Sequence, residues 1–149
     1  MTGAVRILLA DDFGPWRSFV ASQLKTNPEW QIISEASDGL EAVQKAKELQ
    51  PDLIVLDIGL PKLNGIEAAS SIRKVAPDSK ILFLGANRSS DIAVAALSSG
   101  GQGYVVKSDS AGELLMAVEA VLQGRRFVSS TFSGFDFAAT EGQSSDEFR

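Results

Sequence analysis

The sequence contains no cysteine and no histidine among its 149 residues. Without cysteine, the chain cannot form disulfides, zinc-thiolate sites or a thiol nucleophile. Without histidine, it cannot form a Ser-His or Cys-His catalytic pair, and no imidazole can bind a metal. Any phosphohistidine chemistry therefore requires a second protein as the phosphoryl donor.

An excess of positive charge and a long apolar run are also absent. The chain has 14 Lys and Arg against 19 Asp and Glu, for a formal net charge of −5. Affinity for nucleic acid comes from clustered Lys and Arg, so direct DNA binding is not expected. The first apolar run ends in acids at Asp11, which predicts neither a signal peptide nor a membrane span. We expect a soluble cytoplasmic protein without membrane association.

Short apolar runs alternate with segments of helical periodicity along most of the chain. A β-α order repeated five times predicts an α/β fold, in which a parallel sheet lies between two layers of helices. The first helix is predicted to bury one face, formed by Phe13, Trp16, Val20 and Leu24. The predicted strands span residues 5–10, 30–36, 53–56, 80–84 and 103–106.

The composition changes after this repeating region, so we divide the chain into a domain, residues 1–126, and a tail, residues 127–149. The tail is rich in Ser, Gly and acids, and no DNA-binding domain is expected in it. Two interpretations stay open: a partly disordered terminus whose first residues dock on the domain, or an aromatic segment that packs on the sheet edge or on a partner. The tail holds five of the eight phenylalanines, Phe127, Phe132, Phe135, Phe137 and Phe148.

Acidic residues stand where two of the predicted strands end. Asp11 and Asp12 follow the first strand, and Asp57 follows the third. Ligands of open parallel sheets bind at the carboxyl ends of the strands, so neighbouring first and third strands would bring these carboxylates together. Such acids repel one another unless a cation neutralises them, and three carboxylates without nitrogen donors favour Mg²⁺ over zinc. The ordinary alternative for the Asp11-Asp12 pair is a helix N-cap followed by a first-turn acid.

A bound cation would allow one carboxylate to act as a nucleophile toward a phosphoryl group. Asp57, alone at its strand end, is the natural acceptor. Lys107 follows the fifth strand, where a compact cation could pair with the phosphoryl oxygens. The ordinary alternatives are a turn residue for Asp57 and a solvated loop residue for Lys107.

Three motifs resemble the receiver domain of bacterial two-component response regulators, most closely receivers that precede LuxR-type helix-turn-helix domains. They are the D-D pair, L-D-I-G-L-P-K-L-N-G-I-E-A around Asp57, and G-Y-V-V-K at Lys107. The resemblance implies a flavodoxin-like, doubly wound (βα)5 three-layer sandwich with strand order 2-1-3-4-5. It also implies phosphoryl transfer to Asp57 from a sensor histidine kinase or a phosphotransfer protein, and Mg²⁺ as the cofactor.

The resemblance also implies roles for individual residues of the metal site. Asp12 and Asp57 would bind the metal directly, Asp11 would act through water, and the carbonyl of Gly59 would supply another oxygen. Signalling would pass to a downstream protein partner or through a homodimer. The expected protein is a phosphoacceptor and not an enzyme, apart from self-catalysed phosphotransfer and autodephosphorylation.

The phosphoryl-binding and switch positions include one departure from the family. Lys107 and the backbone amide of Ala86 would contact the phosphoryl group, and Tyr104 matches an aromatic residue that changes its packing on activation. The simpler alternative for Tyr104 is a half-buried tyrosine at the sheet edge. Gly85 stands where the family normally has Thr or Ser, whose hydroxyl contacts the phosphoryl group. A receiver-like interaction module with a weakened or absent phosphorylation switch is therefore the alternative function.

Overall fold

The computed structural model describes residues 4–135 and residue 137. The strands of this part are β1 (Val5–Ala10), β2 (Trp30–Ala36), β3 (Leu53–Asp57), β4 (Lys80–Gly85), β5 (Gly103–Val106) and β6 (Phe127–Val128). The α-helices are α1 (Gly14–Leu24), α2 (Gly39–Leu49), α3 (Gly65–Val75), α4 (Ser90–Ser98) and α5 (Ser110–Leu122). Short 3-10 helices span Lys107–Asp109 and Ser130–Phe132.

The strands form a single parallel sheet in the order β2-β1-β3-β4-β5-β6. This order confirms the predicted flavodoxin-like arrangement, to which β6 adds a sixth strand that the sequence pattern did not predict. All five residues of β3 are buried, as expected for the central strand of a sheet covered on both faces.

Two separate cores lie on the two faces of the sheet. Helices α1 and α5 cover one face, where Val20 and Val118 pack against β1 and β3. Helices α2, α3 and α4 cover the other, where small residues such as Ala42 and Ala96 allow close approach to the strands. The three-layer architecture is thus confirmed. None of the helices in the described ranges is long and apolar enough to cross a membrane.

The start of α1 differs from the sequence-based expectation. Phe13 is the N-cap residue, with an extended backbone and no capping side chain, so the Asp11-Asp12 pair does not cap this helix. Because Phe13 precedes the first helical turn, it does not follow the helical periodicity, and its side chain is 61% exposed. The predicted buried face is therefore wrong at Phe13, whereas Val20 and Leu24 are buried.

The first part of the tail packs against the domain. Phe127–Val128 pairs with β5 in parallel, and the Phe132 and Phe137 side chains are buried. Both interpretations of the tail include docking of its first residues, and residues 127–135 and 137 do dock, at the sheet edge beside β5. Phe148 and the other residues after 137 lie outside the described part of the chain.

Candidate functional site

The predicted acids converge at the carboxyl edge of the sheet. Strands β1 and β3 are neighbours, with Ala10 opposite Leu56, so the residues that follow them emerge side by side. Asp11, Asp12 and Asp57 each offer a carboxylate oxygen, and these oxygens all lie within 4.8 Å of one another. Asp11 and Asp57 are buried, whereas Asp12 is exposed.

Lys107 reaches the same place from β5, two strands away from β3. Its Nζ lies 3.0 Å from Oδ2 of Asp11 and 3.3 Å from Oδ1 of Asp57. The ammonium group also lies 5.3 Å from the centre of the Trp16 ring, within the range of a cation-π contact. Helical periodicity predicts Trp16 on the buried face of α1 but cannot predict this contact, because it says nothing about the residues that follow β5.

The environment of Asp57 acts on its pKa in opposing directions. Burial raises the pKa of Asp57 most, and the negative charge of Asp11 raises it further. The positive charge of Lys107 and a hydrogen bond from the Gly59 amide lower this pKa, but the net shift is upward. The charged form of Asp57 is therefore disfavoured, and a bound cation would relieve this.

Asp11 is the more fully engaged member of the acid pair. Its Oδ1 accepts a hydrogen bond of 2.9 Å from the amide of Phe13, and its Oδ2 accepts from Lys107. Arg17 donates to the backbone carbonyl of Asp11 at 2.6 Å and thereby fixes the turn after β1. Asp11 thus holds Lys107 in place, while the exposed carboxylate of Asp12 is directly accessible to an ion.

The loop after β3 is shaped by a close approach between α3 and strand β3. The amide of Gly65 donates to the carbonyl of Ile58 at 2.8 Å. A Cβ atom on Gly65 would overlap the backbone carbonyl oxygen of Asp57 and lie 2.8 Å from Cα of Ile58. Asn64 caps α3 and forms a capping box with Glu67, which fixes the start of this helix beside Asp57. The N-terminus of α3 therefore holds the Asp57 backbone in position.

The space that a side chain at position 85 would need is filled by Tyr104. A Cβ atom on Gly85 would overlap the Tyr104 hydroxyl oxygen, and would lie 3.0 Å from its Cζ and 3.3 Å from Cγ1 of Ile58. Tyr104 is fully buried, in contrast to the half-buried alternative, and its hydroxyl donates to the carbonyl of Asn87 at 3.0 Å. Burial, followed by the negative charge of Asp57, raises the pKa of Tyr104 to about 12. The phenol is therefore a neutral hydrogen-bond donor.

The loop from β4 to α4 begins with Ala86, which is exposed. The side chain of Asn87 accepts from the amide of Ser89, and the Ser89 hydroxyl accepts from the amide of Asp91. These polar groups cap α4, so the hydroxyl that lies against Gly85 comes from Tyr104 and not from this loop.

Sequence comparison identifies a family that fits this geometry. The profile described as "Response regulator receiver domain" matches residues 7–119. The transcriptional regulatory protein LnrK of Bacillus subtilis is 37% identical over 120 residues, which cover 80% of this chain and 54% of LnrK. The transcriptional regulatory protein DegU of Brevibacillus brevis is 32% identical over 124 residues, which cover 83% of this chain and 52% of DegU. The chain thus spans about half the length of these curated relatives.

Structural comparison leads to the same family. A two-component response regulator of the LuxR family from Aurantimonas sp. SI85-9A1 aligns with a TM-score of 0.80 at 32% identity, covering 97% of this chain and 98% of that one. The family profile spans most of the chain, and the strand order, the acid cluster and the strand-end lysine agree with it. The chain belongs to the response regulator receiver domain family of two-component systems.

Proposed function

We propose that this protein accepts a phosphoryl group on Asp57 from the phosphohistidine of a sensor histidine kinase or a phosphotransfer protein. The observation that carries the proposal is the placement of Lys107 beside Asp57 and Asp11 in an acid cluster at the carboxyl edge of the sheet. Coincidence is a poor explanation for this cluster, because three strands contribute to it.

Asp57 is the member of the cluster best placed to act as a nucleophile. It is buried at the end of the central strand, and α3 holds its backbone. One Asp57 carboxylate oxygen attacks phosphorus, the bond from phosphorus to the donor's histidine nitrogen breaks, and that nitrogen keeps the electron pair. The product is an acyl phosphate on Asp57, and Lys107 would pair with its phosphoryl oxygens.

The donor set of the pocket fits Mg²⁺. Carboxylate oxygens of Asp11, Asp12 and Asp57 within 4.8 Å of one another suit a hard cation that prefers oxygen. The Gly59 carbonyl would complete the protein ligands, and the Ala86 amide would face the phosphoryl group. When bound, Mg²⁺ offsets the charge on the transferred oxygens.

In this proposal the protein is a cytoplasmic phosphoacceptor and not an enzyme that turns over a free substrate. It would catalyse only its own phosphotransfer and autodephosphorylation. Its output would pass to a downstream protein partner or through a homodimer, without a membrane and without direct DNA contact, in keeping with the net charge of −5.

Acetyl phosphate with Mg²⁺ tests the proposed acceptor directly. Intact-mass measurement should show one added phosphoryl group on the wild type and on the control Asp78→Asn. The Asp78 carboxylate is exposed and precedes β4, at the opposite end of the sheet from Asp57. Asp57→Asn should show none. Equal phosphorylation of Asp57→Asn and the wild type would overturn the assignment of Asp57.

A second candidate function is an interaction module that keeps the fold but has a weak or absent phosphorylation switch. The observation that favours it is Gly85, whose missing side chain leaves space that the Tyr104 hydroxyl already fills. The phosphoryl mimic beryllium fluoride distinguishes the two candidates. If the mimic binds at Asp57 and alters dimerisation or partner binding, the first function holds; if it binds without either effect, the second does.

A further inference from the structure

The residues that follow α5 run along the free edge of β5. We call the described residues of this stretch, 127–135 and 137, the cover segment. The amide of Ser129 donates to the carbonyl of Tyr104 at 2.9 Å, and the amide of Val106 donates to the Ser129 hydroxyl at 2.8 Å. Backbone groups of β5 that would face a docking strand are therefore already paired with the chain's own cover segment.

Two carboxylates of the α5 region hold the same segment. Glu113 accepts from the hydroxyl of Ser129 at 2.7 Å and from the amide of Ser130 at 3.0 Å. Asp109 accepts a hydrogen bond from the hydroxyl of Thr131. Ser129 is 2% exposed, so its bonds are shielded from water. These polar contacts define one specific position for the segment.

Aromatic packing fixes the rest of the cover segment on Tyr104. The Phe132 ring lies 5.8 Å from the Tyr104 ring at 73°, an edge-to-face contact. Phe137 lies 5.9 Å from Phe132 in the same geometry. The side chains of Phe132 and Phe137 are 7% and 8% exposed. Phe132 therefore connects the cover segment to the Tyr104 ring.

The opposite end of Tyr104 lies against Gly85. Because a Cβ atom there would overlap the Tyr104 hydroxyl, any side chain at position 85 requires the ring to move. A shifted ring would no longer meet Phe132 in the observed geometry. Gly85, Tyr104 and Phe132 therefore form one packing column that runs from beside the acceptor aspartate to the cover segment.

We propose that the cover segment permanently occupies the β5 edge, and that Gly85 acts as a positioning residue that keeps it there by leaving the space for Tyr104. Partners at this edge of the sheet then meet the cover segment instead of strand β5. The occupant of this surface is the cover segment of the same chain.

The cover should remain in place whether or not Asp57 carries a phosphoryl group; this part rests on the proposed function. The Tyr104 hydroxyl already has its partner in the carbonyl of Asn87, and Gly85 has no hydroxyl that could move toward a phosphoryl group. A ligand shifts a conformational equilibrium only through contacts that differ between the two states. Within the packing column, neither Gly85 nor the Tyr104 hydroxyl has a side-chain donor free to bond to the phosphoryl group.

Amide hydrogen exchange by NMR on the full chain tests the role of Gly85. In Gly85→Ala, exchange at Ser129 and Phe132, whose amides are hydrogen bonded, should become about tenfold faster, while the β3 amides keep their protection. The matched control is Gly112→Ala, because a Cβ atom there meets nothing within 4 Å. Unchanged exchange at Ser129 and Phe132 in Gly85→Ala would overturn the proposal.

Two further variants test the column: Tyr104→Phe, combined with Gly85→Ala, and Phe132→Ala, which remains informative if Gly85→Ala does not fold. Removing the overlapped hydroxyl with Tyr104→Phe should reduce the effect of Gly85→Ala from about tenfold to about threefold, because the two positions are coupled. Phe132→Ala should loosen the cover segment from the other end and leave beryllium fluoride binding unchanged. An effect of Gly85→Ala that is equal in the wild type and in the Tyr104→Phe variant would contradict the column.

Beryllium fluoride with Mg²⁺ tests the independence from phosphorylation. The mimic should bind to the wild type and not to Asp57→Asn. In the wild type, its binding should leave the exchange rates of the Ser129 and Phe132 amides within about twofold of those of the free protein. A larger change that also requires Asp57 would overturn the permanent cover. Failure of the mimic to bind at all would instead contradict the proposed phosphoacceptor, and the Gly85→Ala result would still decide the cover segment.

Discussion

At the scale of single residues, Asp57 is buried, although the chemical role proposed for it requires a charge. A phosphoryl acceptor must be ionised to act as a nucleophile, yet burial and the neighbouring Asp11 both disfavour its charge. Lys107 compensates in part from 3.3 Å away. The acceptor therefore destabilises the fold in its metal-free form, as expected where a site is arranged for chemistry.

Replacing Asp57 with Asn should stabilise the metal-free protein at neutral pH. The folded-state pKa of Asp57 is raised, so its contribution to stability is fully present below the unfolded-state pKa and is lost as the pH rises through the folded-state pKa. Above that point Asp57→Asn removes an unfavourable charge, and the free energy of unfolding should rise above that of the wild type. Urea denaturation in EDTA across this pH range would measure the difference.

The pH dependence of the same measurement shows whether charge causes the stabilisation by Asp57→Asn. As the pH falls toward the ordinary aspartate value, the wild-type carboxyl group becomes protonated and the advantage of Asp57→Asn should disappear. The control Asp78→Asn removes an exposed carboxylate, and Asp57→Asn is compared with it at each pH. An advantage of Asp57→Asn that persists at acidic pH would point to packing instead of charge.

The residues of the acid site could be predicted from sequence because each stands at a strand end. Asp11, Asp57 and Lys107 need only the strand order to be brought together. The space at Gly85 could not be predicted in this way, because it depends on where the ring of Tyr104 lies within the core. The sequence showed the missing hydroxyl but not the hydroxyl of another strand that occupies its place.

At the scale of secondary-structure elements, the contact between α3 and β3 fixes the backbone position of Asp57. Gly65 begins α3, and its amide bonds to the carbonyl of Ile58, so the helix starts almost against the strand end. Asn64 and Glu67 close the first turn by a capping box. The position of Asp57 thus depends on the absence of a side chain on the facing helix.

Substitution of Gly65 by Ala should disturb the acceptor strand. The added methyl group would overlap the Asp57 carbonyl, and we expect a loss of about 1–3 kcal/mol in the free energy of unfolding. Phosphorylation by acetyl phosphate should also slow, because the carboxylate is displaced. Chemical denaturation and intact-mass time courses would measure the two effects.

Gly14 supplies the matched control for this prediction. It also begins a helix, α1, but a Cβ atom on it meets nothing within 4 Å. Gly14→Ala should therefore be neutral or slightly stabilising, since Ala has the higher helix propensity. Equal losses in Gly14→Ala and Gly65→Ala would show that the helix start, and not the contact with Asp57, sets the cost.

The strands were the elements that the sequence predicted best. Their apolar runs are short and continuous, and polar residues end them, so β1, β2 and β5 begin and end where predicted. Strand β6 was missed because Phe127–Val128 has only two residues, too few for any periodicity. Its pairing depends on β5, which lies before α5 in the sequence.

At the scale of the whole molecule, the carboxyl edge of the sheet and the β5 edge differ in charge and in packing. The carboxyl edge of the sheet concentrates buried acids, while the β5 edge is closed by the aromatic cover segment. The net charge of −5 adds general repulsion to the local repulsion within the acid cluster. A divalent cation at the carboxyl edge should therefore stabilise the entire fold.

Addition of Mg²⁺ should raise the melting temperature of the wild type and not that of Asp12→Asn. A ligand that binds only the folded state stabilises it by RT ln(1 + [L]/Kd), or about 1.4 kcal/mol at ten times the Kd. Asp12 is exposed, so its substitution should leave the metal-free stability almost unchanged and remove only the ion's effect. Differential scanning calorimetry in EDTA and in increasing Mg²⁺ would separate these contributions. An equal rise in melting temperature for Asp12→Asn would show that Mg²⁺ acts by general screening of the negative charge, and the acid cluster would then not be its site.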